Sequence, residues 1–480
     1  MRISLSRRVT AVVAALGLAL VAVPAAAPAA NADVDSCGLG QVCTGALSGS
    51  LGDSMYQIRM PAKFNGTTLI YSHGYRIADP VPALVAVQLG MDKAPVYDAV
   101  TLPDGSVGYK GNGLPQVGPS AEVIGALLNQ GYALAGTGYA KQGWAVAEGV
   151  EANENLIKLI NSGGIKGNKQ IMAWGNSMGS VITEALVQRN PGKIAGTMPN
   201  CSALGGIDAA MDAAMTVVYA YKTLVDPTIK GANYTPGPAG YVEAASDLGK
   251  IATAIASVQA KPVSDAGFPV ALANLLAGLM AGLPTVSTTY DGVTVNPAVA
   301  TLGTGGALTG GYTPVSSGQS AAAAMLENVF GAAALGVMGR YELEKQVLLS
   351  GSVAPGGNTN FTSNVGVNYS KLLSPEQRGQ FEDTFATVPG SLDGMLAALA
   401  AGERFAANPA AQKFVAGLPS AKASYNNKPI VLLTDTYDPV TPAGNAGGYF
   451  DGVKMSKKGK KADKKGMLKA VSYYAVPPAD

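Results

Sequence analysis

Twenty residues constrain this chain more than any others: QIMAWGNSMGSVITEALVQR, residues 170–189. The run from Gln170 to Trp174 is apolar apart from its first residue. It passes with no spacer into Gly175-Asn176-Ser177-Met178-Gly179, and apolar residues then recur at helical spacing up to Arg189. A short apolar run bounded by glycine predicts a strand, and a period near 3.6 predicts a helix. Passing from one to the other within five residues demands a tight turn, which the small residues at both ends permit. Such a turn lifts the Ser177 hydroxyl above the end of a sheet, where it is a candidate nucleophile. The bare pattern G-x-S-x-G is weak; a strand before it and a helix behind it give it weight.

The flanking chain repeats the same grammar. Residues 54–61 and 68–74 read as strands, with Asn65-Gly66 as turn chemistry between them. A helical pattern follows over 118–130, a strand over 132–139, a helix over about 145–161, and another strand over 194–199. Alternation of this kind predicts an α/β fold, a mostly parallel sheet flanked by helices. From 201 to 424 the chain is rich in Ala and Gly and helical in pattern, as in 204–225, 268–283, 319–346 and 389–418. Gly/Pro/Thr/Ser stretches near 231–240 and 301–318 interrupt it. Without sustained heptads or a basic polar face, this part is expected to be a packed helical cap. The strand grammar returns with IVLLTD at 430–435 and MLKAVSYYAV at 467–476. The organisation expected is a core over 33–200, an insertion over 201–424 and the rest of the core over 425–480.

The N-terminus points to export. A basic start (Arg2, Arg7, Arg8), an apolar run from Val9 to about Val23 and the small residues Ala30-Asn31-Ala32 read as a signal peptide covering 1–32. Removing it takes away three arginines and no acid, so the formal net charge of +2 becomes −1. A near-neutral chain gives no electrostatic reason to expect nucleic acid as a partner, and no stable membrane insertion is expected either. The lysine run over 454–465 has two readings, contact with anionic surfaces and a solvated loop, and the loop is the one expected. Of the three cysteines, Cys37 and Cys43 are placed to close a small disulfide loop in an oxidising compartment, which leaves Cys201 odd. His73 is the single histidine, which argues against a zinc site built on a histidine cluster. No P-loop is present, and no cofactor is expected.

Acyl transfer needs donors for an oxyanion. The Met178 amide at a helix N-terminus is one candidate. The loop after the 68–74 strand, Ser72-His73-Gly74-Tyr75, supplies the other: Gly74 lets the backbone approach a substrate and the Tyr75 amide donates. A carboxylate to orient an imidazole is expected at Asp438 in TDTYDPVTP, with Asp435 the alternative. The imidazole itself should follow the last strand, in the chain order Ser, Asp, His, and no histidine follows Asp438. His73 lies beside the oxyanion loop rather than opposite the serine, a poor position for a base.

These residues resemble the α/β-hydrolase superfamily, and within it exported bacterial esterase- or peptidase-like hydrolases with a large helical cap. The resemblance rests on YQIRMPAKFNGTTLIYSHGYR, NQGYALAGTGYAKQGWAV, IMAWGNSMGSVITEALVQRNP and KPIVLLTDTYDPVTPAGNA, which cover most of the core; the cap matches only in helical character. It implies Ser177 as nucleophile, Asp438 as acid, and Gly74, Tyr75 and Met178 at the oxyanion hole. Relatives of this kind carry the histidine shortly after the last strand, often with a cysteine directly behind it that would suit Cys201. The missing histidine and the odd cysteine then share one explanation, a C-terminal segment lost from this sequence; a non-catalytic descendant is the alternative. The function expected is cleavage of small-molecule or polymeric esters with an apolar acyl group, with a peptidase or a binding protein as the other readings.

Overall fold

The computed structural model of the chain describes residues 36–76, 98–101, 107–110, 113–204, 206–260, 268–282, 288–290, 293–295, 301–302, 308–309, 329–384, 390–435 and 443–475. The expected signal peptide and Asp438 lie outside them.

Eight strands form the central sheet: β1 Val42–Leu47, β2 Ser54–Arg59, β3 Thr67–Ser72, β4 Ala133–Thr137, β5 Gln170–Ser177, β6 Gly196–Ser202, β7 Ile430–Asp435 and β8 Ala470–Ala475. Their order is β1-β2-β4-β3-β5-β6-β7-β8. Only β2 runs against the others, pairing antiparallel with β1 and β4. Strands β3 to β8 are parallel throughout. After β3 the chain crosses to one side to make β4, then returns to the other side of β3 to make β5. The direction of winding therefore reverses between β3 and β5, and a crevice opens where connections leave in opposite directions.

Helix α1 (Ala121–Asn129) links β3 to β4, with the Ser120 hydroxyl accepting from the Val123 amide at its start. Helix α2 (Val146–Leu159) links β4 to β5, and α3 (Met178–Arg189) links β5 to β6. Every residue of α3 from Met178 to Val187 is buried, because it packs against β5, β6, α2 and the first cap helices. The turn expected at Asn65-Gly66 is present: the Asn65 side chain accepts from the Thr67 amide at 2.8 Å, and Gly66 has φ +91°.

Helices make up most of the described residues between β6 and β7. They are α4 (Ile207–Leu224), α5 (Pro238–Ala260), α6 (Phe268–Met280), a helical run over 329–339 leading into α7 (Arg340–Leu349), α8 (Pro375–Thr384), α9 (Ser391–Ala401) and α10 (Pro409–Ala416). Their own core is built on residues such as Tyr221, Leu276, Val337 and Phe381. The helices also join the core beneath the sheet: Ile207, Met211, Leu343 and Val347 share a second buried cluster with Ile182 and Leu186 of α3, and Gln346 donates to the Trp144 carbonyl at 3.0 Å.

Helix α11 (Ala443–Met455) joins β7 to β8, and α12 (Lys457–Asp463) follows it directly. The second is a correction, since a loop was expected over the lysine run. Ser456 caps α12 by accepting from the Gly459 amide at 3.1 Å, and Gly459 and Ala462 are buried against the body. Two small buried residues suffice to seat a turn whose other positions are charged. A second correction concerns Cys201, which lies inside β6 rather than beyond it. Cys37 and Cys43 are joined in a disulfide at the start of β1. No helix among the described residues is long and apolar enough to cross a membrane.

Candidate active site

Ser177 ends β5 with φ 54° and ψ −123°, a conformation that L-residues seldom adopt. The two flanking glycines show why the chain accepts it. A Cβ on Gly175 would lie 2.4 Å from the Gly179 carbonyl oxygen and 2.7 Å from that of Ser72. A Cβ on Gly179 would lie 2.0 Å from the Ser72 oxygen and 2.7 Å from that of His73. The end of β3 therefore presses onto both sides of the turn, and only glycine leaves room for it. Ser177 is left half-buried at the carboxyl end of the sheet, beside the crevice.

Behind the serine, α3 begins at Met178, whose side chain is buried. The Ser180 hydroxyl donates to the Ser177 carbonyl at 2.6 Å and tightens the first turn. The free amides and dipole of this helix end favour negative charge at the serine. In front, the loop after β3 comes close: a Cβ on Gly74 would sit 3.3 Å from Ser177 Cβ, 3.2 Å from the Asn176 oxygen and 3.9 Å from Ser177 Oγ. Gly74 and Tyr75 are half-buried. Ser177, Met178 and Gly74 are thus brought together, with Tyr75 next in the chain.

His73 points elsewhere. Its ring is 2% exposed and stacks on Tyr139, with centroids 3.8 Å apart and planes at 21°. Its Nδ1 lies 2.8 Å from the Gly74 carbonyl oxygen, so Nδ1 carries the proton and donates. Its Nε2 is buried and has no hydrogen-bond partner, although the Gly138 backbone lies near the ring. Burial, reinforced by the Arg76 guanidinium, holds the imidazole pKa well below its ordinary value, while the Gly74 and Gly138 backbones oppose the shift more weakly. This histidine is neutral, and neither ring nitrogen bonds to Ser177.

A buried network supports the floor of the site. The Thr137 hydroxyl donates to Asn153 Oδ1 at 2.9 Å, and Asn153 Nδ2 donates to the Ser72 hydroxyl at 3.0 Å. It ties the ends of β4 and β3 to α2. On the other side, Asn200 Nδ2 donates to Asn176 Oδ1 at 3.1 Å. The register between β5 and β6 then slips by one residue, so that Ser177 aligns with Ser202. Cys201 is the residue passed over, with φ 42°. None of these side chains stood out in the sequence, because each depends on partners far along the chain.

Asp435 closes β7 opposite Ala475 at the same end of the sheet, with β6 between β7 and the serine strand. Among the described residues no group of three His, Cys, Asp or Glu side chains is arranged to hold a metal ion.

No protein-family model and no curated protein matches the sequence. Solved structures do match part of it. An esterase from Pyrococcus furiosus is 12% identical with a TM-score of 0.25, over 37% of this chain and 58% of the esterase. An α/β serine hydrolase without a lid from Xanthomonas campestris is 9% identical with a TM-score of 0.23, over 36% of this chain and 66% of that one. A thermostable carboxyl esterase from Bacillus coagulans is 11% identical with a TM-score of 0.23, over 38% and 52%. The chain spans less than two thirds of each of them. The fold itself is read from the topology: a β1-β2-β4-β3-β5-β6-β7-β8 sheet with one antiparallel strand, a reversal of winding at β3 and a strained serine between the fifth strand and a buried helix are the α/β-hydrolase fold, and this chain has it.

Proposed function

We propose that this chain is an exported serine hydrolase that cleaves carboxylic esters through an acyl-serine intermediate, with Ser177 as nucleophile. The observation that carries the reading is the Ser177 backbone, held at φ 54° between a helix N-terminus and the Gly74 loop. In the first step the Ser177 oxygen bonds to the acyl carbon, and the alcohol leaves with the serine proton. Water then attacks the acyl-serine, releasing the acid and restoring the hydroxyl. The Met178 and Tyr75 amides stabilise the oxyanion in both steps, and Gly74 admits the substrate carbonyl. Asp438 orients the base. His73 is not placed to be that base, being buried, stacked on Tyr139 and bonded to Gly74. Export rests on the pattern of residues 1–32.

The burial of His73 also favours a second reading, a non-catalytic protein that keeps the pocket without a base. Hydrolysis of p-nitrophenyl acetate and butyrate by residues 33–480, with serine-directed phosphonate labelling, separates the two. Turnover that disappears in Ser177→Ala supports the enzyme. A folded protein with neither turnover nor labelling supports the binding protein. A peptidase of the same fold would instead cleave aminoacyl p-nitroanilides in preference to these esters.

A further inference from the structure

Eight of the chain's 34 lysines and arginines fall within residues 454–469, against one acid there, Asp463. The chain as a whole carries +2, so this segment is a strong local concentration of positive charge. It is also a fixed array. Lys457, Lys458, Lys460 and Lys461 are all exposed on α12, and Lys464 and Lys465 are exposed on the turn that closes it. The Ser456 cap, the buried Gly459 and Ala462, and the Met467 amide donating to the Ala462 carbonyl at 2.8 Å hold that turn in place. Among the described residues none of these six ammonium groups pairs with a carboxylate.

Apolar side chains flank the array. Met455, just before the α12 cap, is 64% exposed, and Met467, just after its closing turn, is 63% exposed. Exposed methionines on both sides of lysines that pair with no carboxylate among the described residues do not suit a purely solvated helix. They suit a surface that is anionic outside and apolar beneath.

We propose that the α12 face is a docking surface for anionic lipid bilayers. The lysines approach the headgroups while Met455 and Met467 enter the acyl boundary. All the cations are lysines, compact point charges without the planar fork that arginine offers to phosphates and base edges, which favours a headgroup layer over nucleic acid. A helix of seven residues lies on a bilayer and does not cross it. The Ile430 amide donates to the Lys469 carbonyl at 2.8 Å, so this face adjoins the starting ends of β7 and β8. Ser177 lies at the finishing end of the sheet, about 17 Å further along strands of this length. A docked protein would carry its crevice away from the lipid. The inference is independent of the chemistry proposed for Ser177.

The test is co-sedimentation of residues 33–480, a form that keeps every described residue and omits the apolar leader. Vesicles are phosphatidylcholine alone or phosphatidylcholine with 30 mol% phosphatidylglycerol, about a third of the headgroups, a content high enough to give a strong negative surface potential. Binding is expected to the anionic vesicles only, and to weaken as salt rises. At about fivefold per lysine, the variant Lys457→Gln/Lys458→Gln/Lys460→Gln/Lys461→Gln should lose at least a hundredfold in affinity. Lys464→Glu/Lys465→Glu, which leaves the helix untouched, should also weaken it. Met455→Ser/Met467→Ser should bind at low salt and release at a lower salt concentration than the parent. Equal binding to both vesicle types, no binding to either, or unchanged binding by both lysine variants would overturn the proposal. So would binding to duplex DNA without binding to vesicles, or aggregation of the lysine variants with no change in lipid binding, which would mark the lysines as guards of the edge strand β8.

Discussion

The His73 ring stacks on Tyr139 at 3.8 Å, and the Tyr139 hydroxyl donates to the His73 carbonyl at 3.0 Å. The aromatic partner thus holds the histidine by ring and by backbone, while the imidazole in turn holds the Gly74 carbonyl. The result is a fixed loop beside Ser177.

Because burial depresses the His73 pKa, the unfolded chain binds this proton more readily than the folded one. Stability contributed by the neutral imidazole is therefore complete above pH 6.5 and falls as pH drops below it, by up to about 1.4 kcal/mol per unit. Urea denaturation from pH 8 to pH 5 should show that slope. His73→Gln should flatten it relative to the parent; an equal slope in both would mean that the histidine titrates freely in the folded state.

Glu184 on α3 gives the opposite sign. It is fully buried and accepts from Thr197, and from the Tyr449 hydroxyl at 2.8 Å, and among the described residues it forms no ion pair. Desolvation raises its pKa. The folded state then holds the proton more tightly, so the stabilisation is complete below the ordinary carboxylate range and declines as pH rises above it. Glu184→Gln should match the parent near pH 4 and exceed it in stability at pH 8. Parallel stability curves for the two proteins would count against a protonated Glu184.

Ser177→Gly should raise thermal stability. Releasing a strained positive φ gains about 1–3 kcal/mol, and the freer unfolded glycine returns about 0.5–1 kcal/mol of it. Ser177→Ala keeps the strain and should melt close to the parent. Calorimetry of the three proteins checks this, and a less stable glycine variant would show the turn to be unstrained.

Gly74→Ala and Gly179→Ala should part company. The first adds a methyl 3.3 Å from Ser177 Cβ, a contact the loop can relieve by a small shift, so stability should fall by about 1 kcal/mol or less. In a form that turns over ester, that shift displaces the proposed oxyanion donor and should lower kcat by about a hundredfold. The second drives a methyl 2.0 Å from the Ser72 oxygen, which backbone cannot yield, and should leave little soluble protein. Equal yields and equal kcat for the two would undo this distinction.

The elbow is legible because all of its sequence signals lie within twenty residues: an apolar strand, two glycines and a helix. Strands β3 to β7 were legible for a similar reason, each being a short apolar run bounded by turn residues. In contrast, nothing in VCTGAL marks β1, whose side chains alternate only between exposed and half-buried. The Gly/Pro stretch at 231–240 obscured the start of α5, although Pro238 is well placed in a first helical turn. The network from Thr137 through Asn153 to Ser72 spans 81 residues and leaves no local trace. The lysine helix resembles a loop by its charge, because the two small residues that seat it, Gly459 and Ala462, carry no sequence signal of burial.

The crowding around Gly175 and Gly179 separates two kinds of history for a chain of this type. A substitution at Ser177 removes a hydroxyl and leaves the architecture standing, whereas a side chain at either neighbour meets the β3 backbone and takes the architecture down with it. The glycines are therefore held by folding whether or not any reaction occurs. In a lineage that had stopped catalysing, they would persist as ordinary packing residues, and the serine between them would be the first letter free to drift.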